Sequence, residues 1–155
     1  MSELLPDAAA LAEAYRCARY GVEVDGDTFD LQVGASAADL EAYWPAPDYV
    51  LLTAWNPCSV PQPADANRVA DEALRARLQA AAVPHLRAWA SAPDGSWRED
   101  GWLLAGLGFA RADALAREFG QAGVLAWRRG GPVRLRMLLP RPPGAAEEPS
   151  TEWVE

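Results

Sequence analysis

The sequence predicts an α+β fold in which a single mixed β-sheet carries helices packed on it as an α/β sandwich. Segments with helical spacing of apolar residues alternate with short strand-like segments, in the order α-ββ-α-β-α-ββ-α-ββ. Residues 49–55 form an apolar run that is typical of a strand covered on both faces. Neither G-x-G-x-x-G nor G-x-x-x-x-G-K-[ST] occurs, which excludes the Rossmann and P-loop interpretations.

In the first part of the chain, apolar residues at helical spacing predict a helix over residues 4–20. Residues 22–24 and 29–33 alternate apolar and polar positions, and the Asp25-Gly26-Asp27 turn between them predicts a hairpin. A second helix is expected over residues 37–43, before Pro45 and Pro47.

The same patterns continue after the apolar run. A proline-containing loop covers residues 56–64 and precedes a predicted helix over residues 65–82. Gly120 stands where a helix C-terminus needs a left-handed residue. The remaining predicted elements are strands over 85–90 and 102–105, a helix over 110–119, and strands over 124–127 and 133–139.

Length and composition indicate one domain. The chain has 155 residues, of which 50% are hydrophobic and 23% charged, enough for an ordinary packed core. We expect a single globular domain over residues 1–139 and a disordered acidic, proline-rich tail over 140–155. The chain has no apolar stretch long enough to cross a membrane, and Glu3 and Asp7 do not suit an export signal, so the expected location is the cytoplasm.

The charge balance limits the classes of partner that we expect this protein to bind. The net charge of −8 is concentrated in residues 1–60, whereas residues 61–140 carry a small positive excess of arginines. An acidic protein does not favour broad nucleic-acid binding, because phosphate neutralisation needs a concentrated cationic surface. A local exception is the hairpin with Arg128, Arg129, Arg134 and Arg136, which suits either a solvated strand or a patch for phosphate or an acidic partner. No lysine is present, which excludes Schiff-base chemistry.

Cysteine and histidine are scarce. Two cysteines and one histidine cannot make a disulfide framework or a zinc site, and no carboxylate spacing fits a known calcium loop, so we predict neither metal nor cofactor. Cys58 with His85 is a conceivable nucleophile and base, and Ser59 with His85 is another. For both pairs the alternative is an incidental loop residue and a strand-edge histidine.

Polar and aromatic residues gather at predicted strand ends, namely Trp55, Asn56, Ser59, Asn67, Trp97, Glu99 and Gln121. Aromatic walls with amides and one carboxylate suit recognition of a flat ligand. Asn67 falls on the helix face of Leu74 and Leu78, so its amide is expected to point inward and to bond with the loop, Asn56 or Ser59. A network that only braces the loop explains the same pattern equally well.

The string Thr53-Ala54-Trp55-Asn56-Pro57, with Ser59, Asn67, Gly95-Ser96-Trp97, Glu99 and Phe119-Gly120-Gln121 after it, resembles a bacterial family catalogued as domain of unknown function 3293. The resemblance covers roughly residues 40–130 and implies no activity. It implies motif positions at Asn56, Pro57, Ser59, Asn67, Trp97, Glu99 and Gln121, whereas Cys58 falls at a variable position.

Three functional hypotheses follow. The first is a domain that binds a nucleotide or another metabolite at the Trp/Asn/Glu set. The second is a non-catalytic interaction module that uses the arginine hairpin or the acidic N-terminal half. The third is an enzyme with Glu99 as its general acid or base, because a carboxyl half-buried beside Trp97 has a raised pKa.

Overall fold

The computed structural model describes residues 7–145 and 147–154. Within them the chain forms four α-helices and one mixed sheet of eight strands, which confirms the predicted α+β fold. The helices are α1 (Ala8–Cys17), α2 (Ala38–Tyr43), α3 (Ala64–Ala80) and α4 (Phe109–Glu118). The strands are β1 (Arg19–Val24), β2 (Asp27–Leu31), β3 (Asp48–Leu52), β4 (His85–Ser91), β5 (Glu99–Ala105), β6 (Gly123–Arg128), β7 (Arg134–Met137) and β8 (Thr151–Trp153).

The strand order across the sheet is β2-β1-β4-β5-β3-β6-β7-β8. All neighbouring strands are antiparallel except β7 and β8. The strand β3 therefore lies between two β-hairpins, β4–β5 on one side and β6–β7 on the other. Because antiparallel neighbours run in opposite directions, the end of β3 meets the beginnings of β5 and β6 at one edge of the sheet.

Both faces of the sheet are covered, as the apolar run predicts. Tyr49 and Leu51 of β3 contribute to a core under α1 and α2, and Val50 and Leu52 contribute to a second core under α3 and α4. The alternation follows from the two-residue period of a strand, which sends successive side chains to opposite faces. All four of these side chains are buried, so β3 is the centre of the packed structure.

The predicted element boundaries shift by a few residues. The helix α1 begins at Ala8, and the Asp7 carboxylate accepts hydrogen bonds from the N–H groups of Ala9 and Ala10. It ends at Cys17 and not at residue 20, and residues 4–6 of the predicted helix lie outside the described part. The strand beginning at Glu99 is longer than predicted, because its first residues pair with the end of β4. Gly120 has a φ of 70° after α4, as a helix-terminating glycine requires.

The tail differs from the expectation at residues 151–153. These residues form β8, which pairs in parallel with β7, and the Val154 N–H donates to the Met137 carbonyl at 2.8 Å. Thr151 and Trp153 favour strands, and Trp153 packs against the core. The proline- and glutamate-rich composition of the tail predicts disorder, so the sequence gives no signal for this short strand.

An ion pair joins the sheet to α4. Arg136 of β7 donates to both carboxylate oxygens of Asp113 at 2.8 and 2.7 Å, and its Nη1 lies 3.0 Å from a Glu152 carboxylate oxygen in β8. The Asp113 side chain is only 6% exposed. Arg136 is therefore a structural residue and not a free cation of the arginine hairpin.

Replacing Arg136 with methionine is expected to lower the free energy of unfolding by about 3 kcal/mol, because it leaves the Asp113 carboxylate buried without its partner. Arg134→Met is the matched control, since Arg134 lies on the same strand and is exposed; it should cost no more than about 0.5 kcal/mol. Urea unfolding of the two variants measures both values. Equal losses would show that the Arg136–Asp113 pair does not stabilise the fold.

Candidate functional site

The candidate site lies at the sheet edge where β3 ends and β5 begins. After β3, the Thr53 hydroxyl donates to the Asp100 carbonyl at 2.6 Å and accepts the Trp55 N–H at 3.0 Å. The Thr53 side chain thereby extends the contact between β3 and β5 by one residue beyond the end of β3. It brings Trp55 and Asn56 beside Glu99, the first residue of β5.

Asn56 and Asn67 form a reciprocal amide pair. The Asn67 side-chain oxygen accepts the Asn56 backbone N–H at 2.9 Å, and the Asn67 Nδ2 donates to the Asn56 Oδ1 at 2.9 Å. The Asn56 Oδ1 also accepts the Gln62 backbone N–H at 2.9 Å. Backbone donors thus fix the orientation of both amides. Asn67 is 5% exposed, so the predicted inward amide and its bonds to the loop are confirmed.

Glu99 receives two donors on one oxygen. The Asn56 Nδ2 and the Trp97 indole Nε1 donate to Glu99 Oε2 at 2.9 and 2.8 Å. Glu99 Oε1 accepts a hydrogen bond from none of the residues that the structure describes. The carboxylate is therefore held rigidly by one oxygen, while the other is available for a ligand or a proton.

The loop that carries Asn56 has an unusual backbone. Asn56, Cys58 and Ser59 have φ values of 44°, 52° and 60°, and Trp97 has a φ of 54°. These are four of the six non-glycine residues with positive φ in the described ranges. Each costs about 1–3 kcal/mol, and such strain concentrates at functional sites. The backbone therefore favours a functional role for this loop.

Two contacts with the turn after α4 hold the strained loop in place. The Cys58 N–H donates to the Gly120 carbonyl at 3.0 Å, and Pro57 lies against Gly120. A Cβ at position 120 would lie 2.9 Å from the Pro57 Cβ, so the contact requires glycine. Gln121 adds a third contact, since its Nε2 donates to the Trp55 carbonyl at 3.0 Å and approaches the Phe119 carbonyl at 3.4 Å.

A small cavity opens beside Glu99 on the α1 face of the sheet. Its volume is about 60 Å³, and its walls include Tyr15, Tyr20, Thr53, Glu99 and Gln121. The Tyr15 hydroxyl lies 2.8 Å from the Ser59 hydroxyl, which brings α1 to the loop. The two tyrosines and Thr53 are missing from the predicted set, because a tyrosine on a helix or strand with apolar neighbours gives no sequence signal beyond core packing.

The cavity shifts the pKa of its ionisable groups. Burial raises the pKa of Glu99 above its usual value, against the opposing effect of the hydrogen bonds from Asn56 and Trp97. Burial is also the main reason that the pKa values of the Tyr15 and Tyr20 hydroxyls are raised, so both phenols stay neutral near pH 7. Glu99 is thus the cavity group that suits proton exchange, through Oε1.

The structure brings all seven predicted site residues to one region, with different exposure. Asn56, Asn67 and Gln121 are buried, whereas Trp97 is 49% exposed. The Trp55 indole N–H is buried and has no acceptor among residues 7–145 and 147–154. The exposed Trp97 ring is thus accessible to a ligand from solvent. The buried amides of Asn56 and Asn67 mainly hold Glu99 in place.

The structure does not bring together the two nucleophile pairs that the sequence makes conceivable, Cys58 with His85 and Ser59 with His85. Cys58 Sγ lies 3.4 Å from the Gly120 carbonyl, and Ser59 bonds to Tyr15. His85 lies at the opposite end of β4, where its Nδ1 is 2.8 Å from the Val83 carbonyl and its ring packs edge-on against Trp102. About five strand positions at ~3.3 Å each separate it from the Glu99 end of the sheet.

The arginines of the hairpin divide into two groups. Arg136 is bound by Asp113 and Glu152, as described above. Arg128, Arg129 and Arg134 are exposed and have no carboxylate partner within the described ranges. A groove of about 410 Å³ runs past Arg128 and Arg134, and the Arg128 guanidinium lies 5.2 Å from the centre of the Phe109 ring.

Within the same ranges, no three histidine, cysteine or carboxylate side chains converge as a metal site would require. None of the helices there is both long enough and apolar enough to cross a bilayer.

The fold and the site define a small α+β protein with a partly buried carboxylate at a sheet edge. The model of the family described as "Protein of unknown function (DUF3293)" matches residues 52–124. This match confirms the resemblance, and the matched segment contains all seven motif positions. No curated protein and no solved structure matches the chain.

Replacing Asn67 with alanine is expected to lower the free energy of unfolding by about 1–3 kcal/mol, because the Asn56 N–H and Oδ1 lose a buried partner. The exposed neighbour Arg68 provides the control variant Arg68→Ala. Urea unfolding measures the loss, and hydrogen exchange of the Asn56 amide measures the loosening of the loop. Asn67 does not brace the loop if both variants behave alike.

The raised pKa of Glu99 predicts a pH-dependent stability difference. A carboxyl with a raised folded-state pKa stabilises the fold below its unfolded-state pKa, and this contribution is lost as the pH rises through the folded value. Glu99→Gln keeps an acceptor for Asn56 and Trp97 but does not titrate. The wild type should therefore lose stability relative to this variant between mildly acidic and neutral pH, as followed by thermal unfolding. A difference that is constant with pH would contradict the buried-carboxyl assignment.

Proposed function

We propose that this protein binds a small ligand, a nucleotide or another metabolite, at the site formed by Trp97, Glu99 and the cavity beside them. The observation that carries the proposal is the arrangement of the Glu99 carboxylate. One oxygen is fixed by Asn56 and Trp97, the other accepts no hydrogen bond from the described residues, and Glu99 is among the residues that line the cavity. Such preorganised polar groups in a concave, largely apolar surface are typical of ligand sites.

The strain in the loop supports the same proposal. A network that served only to brace the loop would not need Cys58 and Ser59, or Trp97 in the connection before β5, in the left-handed region, which costs free energy at each position. The amide pair of Asn56 and Asn67 offsets that cost and keeps the loop in one conformation. In this interpretation the residues that brace the loop also hold the ligand-binding residues in position.

Glu99 is also the residue that we propose for any proton transfer at this site. A proton on this carboxyl would sit on Oε1, because Oε2 accepts two N–H donors. A ligand atom in the cavity could then exchange a proton with Oε1 as general acid or base.

A thermal-shift screen with a library of nucleotides and metabolites tests the binding proposal. We expect at least one compound to stabilise the wild type and to lose this effect in Glu99→Gln or Trp97→Ala. Glu23→Gln is the matched control, because Glu23 is an exposed carboxylate on β1. If every stabilising compound acts equally on the wild type and on both site variants, ligand binding at this site is disproved.

A second candidate function is a non-catalytic interaction module. Its support is the groove with the exposed Arg128 and Arg134, which suits phosphate or a carboxylate-rich partner surface; the acidic N-terminal half is the other candidate surface. Affinity capture with the double variant Arg128→Ala/Arg134→Ala discriminates between the proposals. A partner lost in this variant but retained in Glu99→Gln favours the interaction module.

We also propose that the protein is bacterial and cytoplasmic. The bacterial assignment rests on the family resemblance. Cys17 and Cys58 are both free thiols, which suits a reducing compartment and supports the cytoplasmic location.

A further inference from the structure

The hydrogen-bonding capacity left open in the cavity indicates the chemistry of its ligand. Gln121 Nε2 faces two carbonyl oxygens, those of Trp55 and Phe119, and only the N–H₂ end of an amide can donate to them. Gln121 Oε1 is therefore the opposite end, and it accepts no hydrogen bond from the described residues. The same holds for Glu99 Oε1. Two wall residues thus each present an unused acceptor.

The other walls contribute no positive charge. They consist of Tyr15, Tyr20, Thr53 and apolar side chains, and no arginine or histidine is among them. Arg98, the chain neighbour of Glu99, has its Nε 3.2 Å from Asp100 Oδ1 and its guanidinium over the Trp89 ring. The ionised Glu99 therefore gives the cavity a net negative charge, and no cationic side chain of the described residues lines the cavity to balance it.

The size of the cavity limits what enters it. Its volume of about 60 Å³ is a small fraction of the ~300–1,000 Å³ of a typical ligand pocket. A small head group fits this space, but a whole nucleotide does not, so the remainder of a ligand must lie outside. The exposed indole of Trp97, fixed through its Nε1 on Glu99, is the wall available to that remainder.

From these observations we infer that the cavity takes a cationic nitrogen group, an ammonium, amidinium or guanidinium, of a ligand whose apolar or aromatic remainder packs on Trp97. This inference rests on the proposed function and specifies its ligand class. A cation at Glu99 Oε1 supplies the donors that both acceptors lack, and it balances the charge of a carboxylate that burial otherwise disfavours. An anionic head group would meet the same carboxylate without a counter-charge.

Three probes of one shape test the inference, namely phenethylamine, 2-phenylethanol and 3-phenylpropionate, which present a cation, a neutral hydroxyl and an anion. Nuclear magnetic resonance titration of the wild type at millimolar probe concentration measures the affinities. We expect phenethylamine to bind at least about tenfold more tightly than the alcohol, which corresponds to ~1.4 kcal/mol, and the carboxylate to bind most weakly.

Glu99→Gln gives the sharpest comparison. The variant keeps an oxygen for Asn56 and Trp97 but places an N–H₂ group where Oε1 was, so the preference for the amine should disappear. Glu23→Gln should retain it. If Glu99→Gln does not fold, Gln121→Met removes the second acceptor and should reduce the preference for the amine over the alcohol. Trp97→Ala should weaken all probes and keep their order.

The outcomes separate the ligand class from the proposed function. The inference is overturned if the alcohol or the carboxylate binds the wild type as tightly as the amine, or if Glu99→Gln keeps the preference. If the alcohol or the carboxylate binds the wild type and Trp97→Ala loses that binding, the site binds ligands of another class, and the proposed function stands. If neither these probes nor the metabolite library perturbs the site, both proposals fail.

Discussion

The reciprocal hydrogen bonds between Asn56 and Asn67 are the constraint on which the rest of the site depends. Asn67 is held by its helix, and Asn56 is held by Asn67 through both its backbone and its side chain. The Asn56 Nδ2 is thereby directed at Glu99, and the Glu99 carboxylate takes its orientation from this donor and from Trp97. The backbone N–H groups of Asn56 and Gln62 orient the amides of Asn67 and Asn56. The Asn56 amide in turn orients the Glu99 carboxylate.

This arrangement explains why strained residues persist in the loop. Left-handed φ values at Cys58 and Ser59 are unfavourable alone, but the Gly120 carbonyl, the Gly120–Pro57 contact and the amide pair all favour the same loop conformation. These contacts come from α3 and from the turn after α4, and Glu99 of β5 adds a third by accepting a hydrogen bond from the Asn56 side chain. A conformation supported from three directions stays rigid, which lowers the entropic cost of binding at its surface.

Much of the fold and part of the site could be predicted from the sequence, for identifiable reasons. The continuous apolar run of β3 and the inward face of α3 are local features of the sequence, so the burial of Tyr49 and Asn67 could be predicted from them. The cavity could not be predicted, because Tyr15 reaches Ser59 only after α1 packs across the sheet. The pairing of Arg136 with Asp113 is equally non-local, and a strand of three residues in a proline-rich tail is too short to show a period.

The order of the strands also has a consequence for folding kinetics. The pairs β1–β2, β4–β5 and β6–β7 join neighbouring segments of the chain, whereas β3 has partners only in segments that follow it at a distance. Short-range hairpins close quickly, and long-range pairing is slow because the chain must first close a large loop. We therefore expect the edge where β3 meets β5 and β6 to form late in folding. A molecule that occupies this edge would retard the separation of β3 from its neighbours, and would so lengthen the lifetime of the native state.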